Sequence, residues 1–146
     1  MFYLPQAIAA WIAAIWVVDW RRIHELLIYG FFASLVCIVQ DQLGLMHRLW
    51  QYRDTGPLDT HTEISILIGL SAAPLFGIYF AQGLRPGSRI PIGRIVGTTA
   101  LAMVPETAGL FTGNITYGNW WSYGWSVVAH LLLWLGFYGL FRWRQT

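Results

Sequence analysis

Lysine is absent from this 146-residue chain, cysteine occurs once, and charged residues of either sign make up 11% of it. Each shortage closes a class of function. The nine basic residues are all arginine and lie scattered, so the formal charge of +2 is not the clustered footprint that nucleic acid requires. No nucleic-acid partner is expected. Cys37 stands alone inside an apolar run, which excludes internal disulfides, paired-thiol redox chemistry and multi-cysteine metal sites. The first apolar run has no basic segment before it, and Asp19, Trp20, Arg21 and Arg22 follow it in place of a small-residue cleavage site. It reads as a retained helix. Also missing are the His-Glu-x-x-His, Gly-x-Ser-x-Gly and Gly-Lys-Ser/Thr arrangements of zinc, serine and phosphate chemistry.

What is present is apolar surface. Hydrophobic residues are 56% of the chain, aromatic residues 16%, and the mean hydropathy is +0.50, values that no ordinary soluble domain combines. The expectation is an all-α integral membrane bundle of five transmembrane helices, one domain over residues 1–146. A hydrocarbon core about 30 Å thick takes about 20 helical residues, and five segments approach or exceed that length: Phe2–Val18, Ile23–Leu43, Glu63–Gly83, Ile90–Thr112 and Trp120–Phe141. Turn-forming residues separate them at 54–57, 85–88 and 113–118. No internal repeat stands out.

Arginine placement sets an orientation, because cytoplasmic loops retain positive charge. With the N-terminus outside, Arg21, Arg22, Arg85, Arg89, Arg94, Arg142 and Arg144 gather on the inner side and only Arg48 and Arg53 lie outside. A plasma-membrane protein with a cytoplasmic C-terminus is expected. In a chain whose Cys37 is replaced by alanine, a cysteine at position 116 should therefore react with an impermeant reagent on whole cells, and one at position 87 should be protected. The reverse pattern would invert the topology. Trp20, Trp50, Trp120, Trp121 and Trp143 fall near segment ends, where headgroup anchoring is their expected role.

The stretch from Arg89 to Gly113 is expected to organise the bundle, since it carries Pro105 and Glu106 within an apolar run. A carboxylate facing lipid costs several kcal/mol, about 3 on insertion scales, so Glu106 should turn inward. Small and polar residues mark the faces that meet other helices: Gly30, Ser34, Cys37 and Asp41 on the second segment, Ser65, Gly69, Ala73 and Gly77 on the third, Thr98, Ala102, Glu106 and Gly109 on the fourth. These three stripes are expected to face one another, with Pro74 kinking the third helix or freeing a carbonyl.

The candidate pocket residues are Glu106, His130, Asp41, Gln40, Glu63 and Trp121. Glu106 reads as a proton-exchanging or cation-binding carboxylate, or as a hydrogen-bonded packing residue. His130 matches its depth within about one turn, at a rise of 1.5 Å per residue. It is either a proton-relay partner or a neutral imidazole bonded to a carbonyl or hydroxyl of a facing helix. A bis-histidine haem is disfavoured because no other histidine shares that depth. Asp59, His61 and Glu63 alternate as metal ligands would, yet an acidic, hydroxyl-rich run also caps a helix, and capping is the reading adopted. No metal is expected, and no motif specifies a cofactor.

Asp19-Trp20-Arg21-Arg22 with Glu25, Asp41 with Gly44, Trp50 with Tyr52, Pro74 and Glu106 together resemble an uncharacterised family of small, tryptophan-rich five-helix membrane proteins of spore-forming Firmicutes. The likeness covers roughly the first three-quarters of the chain. It implies the helix layout and the polar positions and assigns no reaction. The chain is also similar in size and helix count to the tryptophan-rich sensory proteins, but lacks their Trp-x-Pro-Pro run, so a porphyrin or sterol ligand is not implied. Two functions stay open. One is a non-enzymatic membrane protein with an outward-opening, aromatic-lined pocket for a small amphiphile or cation, in contact with lipids and with a membrane-protein partner or a second copy. The other is an intramembrane enzyme using Glu106 as general acid or base on a lipid or isoprenoid, with Asp41 as the second acid.

Overall fold

The computed structural model describes residues 2–53, 61–84 and 89–144, with positions 61 and 62 as backbone only. The turn-forming runs at 54–57 and 85–88, Asp59 and the His61 side chain lie outside the described residues. Five helices form, as the apolar runs require: α1 Tyr3–Val17, α2 Ile23–Met46, α3 His61–Gln82, α4 Ile92–Phe111 and α5 Tyr123–Trp143. Pro5 falls in the first turn of α1, where its missing N–H costs no hydrogen bond. A single 3-10 turn at Trp20–Arg22 joins α1 to α2, and the Asp19 carboxylate accepts from the Arg21 N–H at 3.2 Å. Gln82 pins this corner to the end of α3, accepting from the Asp19 N–H at 3.0 Å and donating to the Val17 carbonyl at 2.9 Å.

Three helical stretches are long and apolar enough to cross a membrane: Trp20–Met46, Glu63–Gln82 and Tyr123–Trp143. The 15 residues of α1 span only about 22 Å at 1.5 Å per residue. Arg94, Thr98, Thr99, Pro105 and Glu106 dilute the apolar character of the equally long α4.

The centre of the bundle is α3, not α4. Alone among the helices it packs against α1, α2, α4 and α5, and no residue from Ser71 to Ala81 is exposed. The reason is side-chain size. A Cβ at Gly77 would lie 2.5 Å from the Tyr29 carbonyl oxygen and 2.7 Å from the Ala33 Cβ, and one at Gly30 would lie 3.1 Å from Ile78, so small residues let the α2 and α3 backbones approach. The expected facing of these two stripes holds. On α4, a Cβ at Gly93 or Gly97 would meet nothing within 4 Å among the described residues, and Gly109 receives Ile115 of a loop strand rather than α3. Gly77→Leu should consequently lower the melting temperature in detergent by several degrees, as overpacking costs about 1 to 3 kcal/mol. Gly69→Leu should cost less, because its obstacle is the movable Ile38 side chain. Equal stability of Gly77→Leu and wild type would contradict the close α2–α3 contact.

At one end of the bundle α3 and α5 are welded by aromatic packing: Phe80 stacks on Trp134 with ring centres 5.1 Å apart, and Phe137 sets its edge against Phe80. Tyr29 and Phe32 of α2 join through Phe141 and Phe137. Arg94 closes the α4 side, its guanidinium donating to the Phe80 carbonyl at 2.7 Å and to that of Tyr79. The other end is covered by two short strands absent from the sequence reading, β1 Trp50–Tyr52 after α2 and β2 Ile115–Tyr117 after α4. They pair antiparallel as Trp50 with Tyr117, Gln51 with Thr116 and Tyr52 with Ile115.

Candidate functional site

Below the strands the helices part around a cavity of about 240 Å³, walled by all five helices and both strands. Five of the six candidate residues line it: Gln40 and Asp41 from α2, Glu106 from α4, Trp121 before α5 and His130 within α5. Glu63 does not. It lines a separate groove between α1 and α3 with Ile8, Trp11 and Ile66, because residues two apart on a helix point to nearly opposite sides, and it is Ser65 that turns toward Asp41.

Asp41 is 7% exposed and surrounded by donors. Its Oδ1 accepts from the Trp50 Nε1–H and from the Tyr52 hydroxyl, each at 2.7 Å, and the Ser65 hydroxyl bonds the same carboxyl. Gly44 makes this possible. A Cβ there would sit 2.1 Å from the Trp50 ring, so only glycine admits the indole onto α2 one turn beyond Asp41. Trp50 is thus a hydrogen-bond donor to the site in addition to any interfacial role.

Glu106 is half-buried, and its Oε1 accepts from the Tyr117 hydroxyl. That hydroxyl also reaches Ser126 Oγ at 3.2 Å, and Ser126 Oγ accepts from the Trp121 Nε1–H at 2.8 Å. The hydrogen-bond partner of Glu106 is therefore neither His130, which its depth suggested, nor Asp41, the second acid, but a tyrosine on a strand. His130 places Nδ1 2.9 Å from the Ser126 carbonyl on its own helix, not on a facing one. A carbonyl can only accept, so Nδ1 carries the hydrogen, and Nε2 is left as the nitrogen that faces no protein partner among the described residues. Among the described residues Nε2, Glu106 Oε2 and the Gln40 amide have no protein partner. Burial, with Asp41 beside it, pushes the Tyr52 phenol well above its ordinary range. Burial and the bond to Glu106 do the same for Tyr117. Both therefore stay protonated, and both remain donors, through the physiological range.

The two acid–tyrosine pairs are related. Asp41 and Tyr52 are eleven residues apart, as are Glu106 and Tyr117. Gly44 lies under Trp50 as Gly109 lies under Ile115. Arg48 and Gly113 hold the same turn position with φ of 53° and 73°. The strand pairing maps onto itself under this exchange, and so do the bonds that extend it, Arg53 N–H to the Asn114 carbonyl at 2.7 Å and Gly118 N–H to the Leu49 carbonyl at 2.8 Å. Residues 41–53 and 106–118 therefore form two like halves about a local two-fold axis between Gln51 and Thr116, with an acid from each in the cavity. None of Tyr52, Tyr117, Ser65 and Ser126 is among the six candidate residues that the sequence offers. The signal that finds the tyrosines is the shared carboxylate–x–x–Gly spacing with Tyr eleven residues after the acid.

No group of three or more His, Cys, Asp or Glu among the described residues is placed to hold a metal ion. Compared with protein-family models, curated proteins and solved structures, the chain matches none of them, so the cavity carries the functional argument.

Proposed function

We propose that this is a multi-pass plasma-membrane protein whose five helices cross the bilayer, N-terminus outside and C-terminus cytoplasmic, and that its cavity opens outward to bind a small amphiphile or cation. The supporting observation is the meeting of Asp41, Glu106, His130, Gln40 and Trp121, far apart in the chain, at one cavity whose remaining walls are largely alanine and aromatic side chains. Pockets of this make-up, apolar with a few convergent polar groups, bind small molecules. In this reading α1, short for a span, is met by local thinning of the bilayer. Lipid covers side chains such as Trp16, Phe31 and Phe111, which are 85%, 71% and 88% exposed, and the same surface accommodates a membrane-protein partner or a second copy. The kinship with tryptophan-rich membrane proteins of spore-forming Firmicutes belongs to the same proposal.

The test is native mass spectrometry of protein released from nanodiscs. Wild type should retain a small molecule that Ala102→Phe, which fills the cavity from α4, loses. Identical spectra for the two would remove the cavity from the function. A second reading, catalysis on a lipid or isoprenoid, is favoured by one observation, that two carboxyl groups line the same apolar cavity. Glu106 would then act as general acid or base with Asp41 as the second acid. Turnover of the retained molecule by wild type but not by Glu106→Gln would establish catalysis; retention unchanged in mass would establish binding.

A further inference from the structure

We infer that the cavity selects an amphiphile whose head is a primary ammonium, held by Glu106 and His130 with its apolar tail along the aromatic wall. This rests on the binding reading above and names its ligand class. The observation behind it is the difference between two otherwise matched halves. Where the first half has Trp50 to donate to Asp41, the second has Ile115, which has no donor. Asp41 therefore receives three protein donors, from Trp50, Tyr52 and Ser65. Glu106 receives one, from Tyr117, and its Oε2 is left without a partner among the described residues.

A second feature points the same way: one turn after Ser126, to which Tyr117 is bonded, His130 stands on the cavity wall. With Nδ1 committed to the Ser126 carbonyl, the ring in its neutral form has Nε2 as its lone-pair acceptor. Tyr117 bonded to both Glu106 and Ser126 holds the two acceptors in one neighbourhood.

The chain has no lysine, and among the described residues no arginine lines the cavity. A carboxylate in apolar surroundings is costly until a cation pairs with it. An alkylammonium supplies the charge and three N–H donors, enough for Glu106 Oε2 and His130 Nε2 together. A quaternary ammonium brings charge without donors, and an alcohol brings one donor without charge. Trp50, Tyr52, Trp121 and Phe76 then offer faces to the methylenes and to the cation.

The experiment follows tryptophan fluorescence of the full chain in zwitterionic nanodiscs during titration with hexylamine, hexyltrimethylammonium and hexanol. Hexylamine should bind at least about tenfold tighter than either analogue, about 1.4 kcal/mol. Glu106→Gln, which keeps an oxygen for Tyr117, should abolish that preference, with hexylamine binding no tighter than hexanol, at an unchanged melting temperature. His130→Phe should weaken hexylamine alone. Equal saturable binding of all three probes, removed by Ala102→Phe, would overturn the ammonium head and leave the cavity reading standing. Saturable binding that Ala102→Phe does not touch, or none at all, would overturn both.

Discussion

Asp41→Leu is expected to lower the melting temperature of the detergent-solubilised protein by roughly 10 °C, whereas Asp41→Asn should lie within a few degrees of wild type. Leucine fills much of the volume but accepts nothing, so the Trp50 indole N–H and the Tyr52 hydroxyl each lose an acceptor now held at 2.7 Å. Each donor deprived of its acceptor costs about 1 to 3 kcal/mol, so two of them come to about 2 to 6. Asparagine keeps an oxygen at the Oδ1 position and both bonds with it. The paired result distinguishes two roles for the carboxyl. A loss with leucine alone identifies Asp41 as the hydrogen-bonded peg that fastens β1 to α2, while an equal loss with asparagine would mean that its charge, not its geometry, holds the sheet.

Trp134 carries the second large effect. It is 2% exposed, stacked on Phe80 and set against Phe137 at 5.3 Å, and it forms part of the cavity floor. Trp134→Ala removes the ring that joins α5 to α3, and buried aromatic truncations cost about 3 to 5 kcal/mol. A fall of roughly 10 °C is expected from circular-dichroism melts, with a larger cavity left behind. Trp134→Phe should behave differently. The Trp134 indole N–H is buried without a partner among the described residues, and removing an unsatisfied donor recovers part of its desolvation cost. Phenylalanine is thus expected at or above wild-type stability. If alanine and phenylalanine were equally damaging, the indole N–H would have a partner, such as a water on the cavity floor, and the stacking account would fail.

Reading the chain against this structure separates what is local from what is not. The positions of the helices were legible because each is written in a contiguous apolar run: Ile23–Leu43 becomes Ile23–Met46, and Ile90–Thr112 becomes Ile92–Phe111. The cavity residues were legible for a related reason. A polar side chain within such a run has to turn inward, so Glu106, His130 and Asp41 announce themselves by cost alone. Glu63 does not obey that rule. It stands at the first turn of α3, near an end where an exposed carboxylate costs little, and nothing compels it toward the cavity.

The partners of those residues were decided by tertiary structure. Tyr52 and Tyr117 sit on strands of three residues each, too short for alternation to mark, and Tyr52 finds Ile115 across sixty-three positions of sequence. The two halves share few residue identities, so their likeness shows in turn positions, glycine contacts and hydrogen bonds rather than in letters. The choice of α3 as the central helix was likewise tertiary. Small residues permit close approach wherever they occur, yet those of α2 and α3 meet backbone to backbone while Gly93 and Gly97 of α4 meet nothing within 4 Å among the described residues. The sequence by itself determined which segments are helices and which polar groups are too costly to face lipid, because both follow from the free energy of one residue in one environment. Which donor each acid received, and so which acid was left with an open oxygen, depended on the pairing of two strands distant in the chain, and only the folded arrangement decides that.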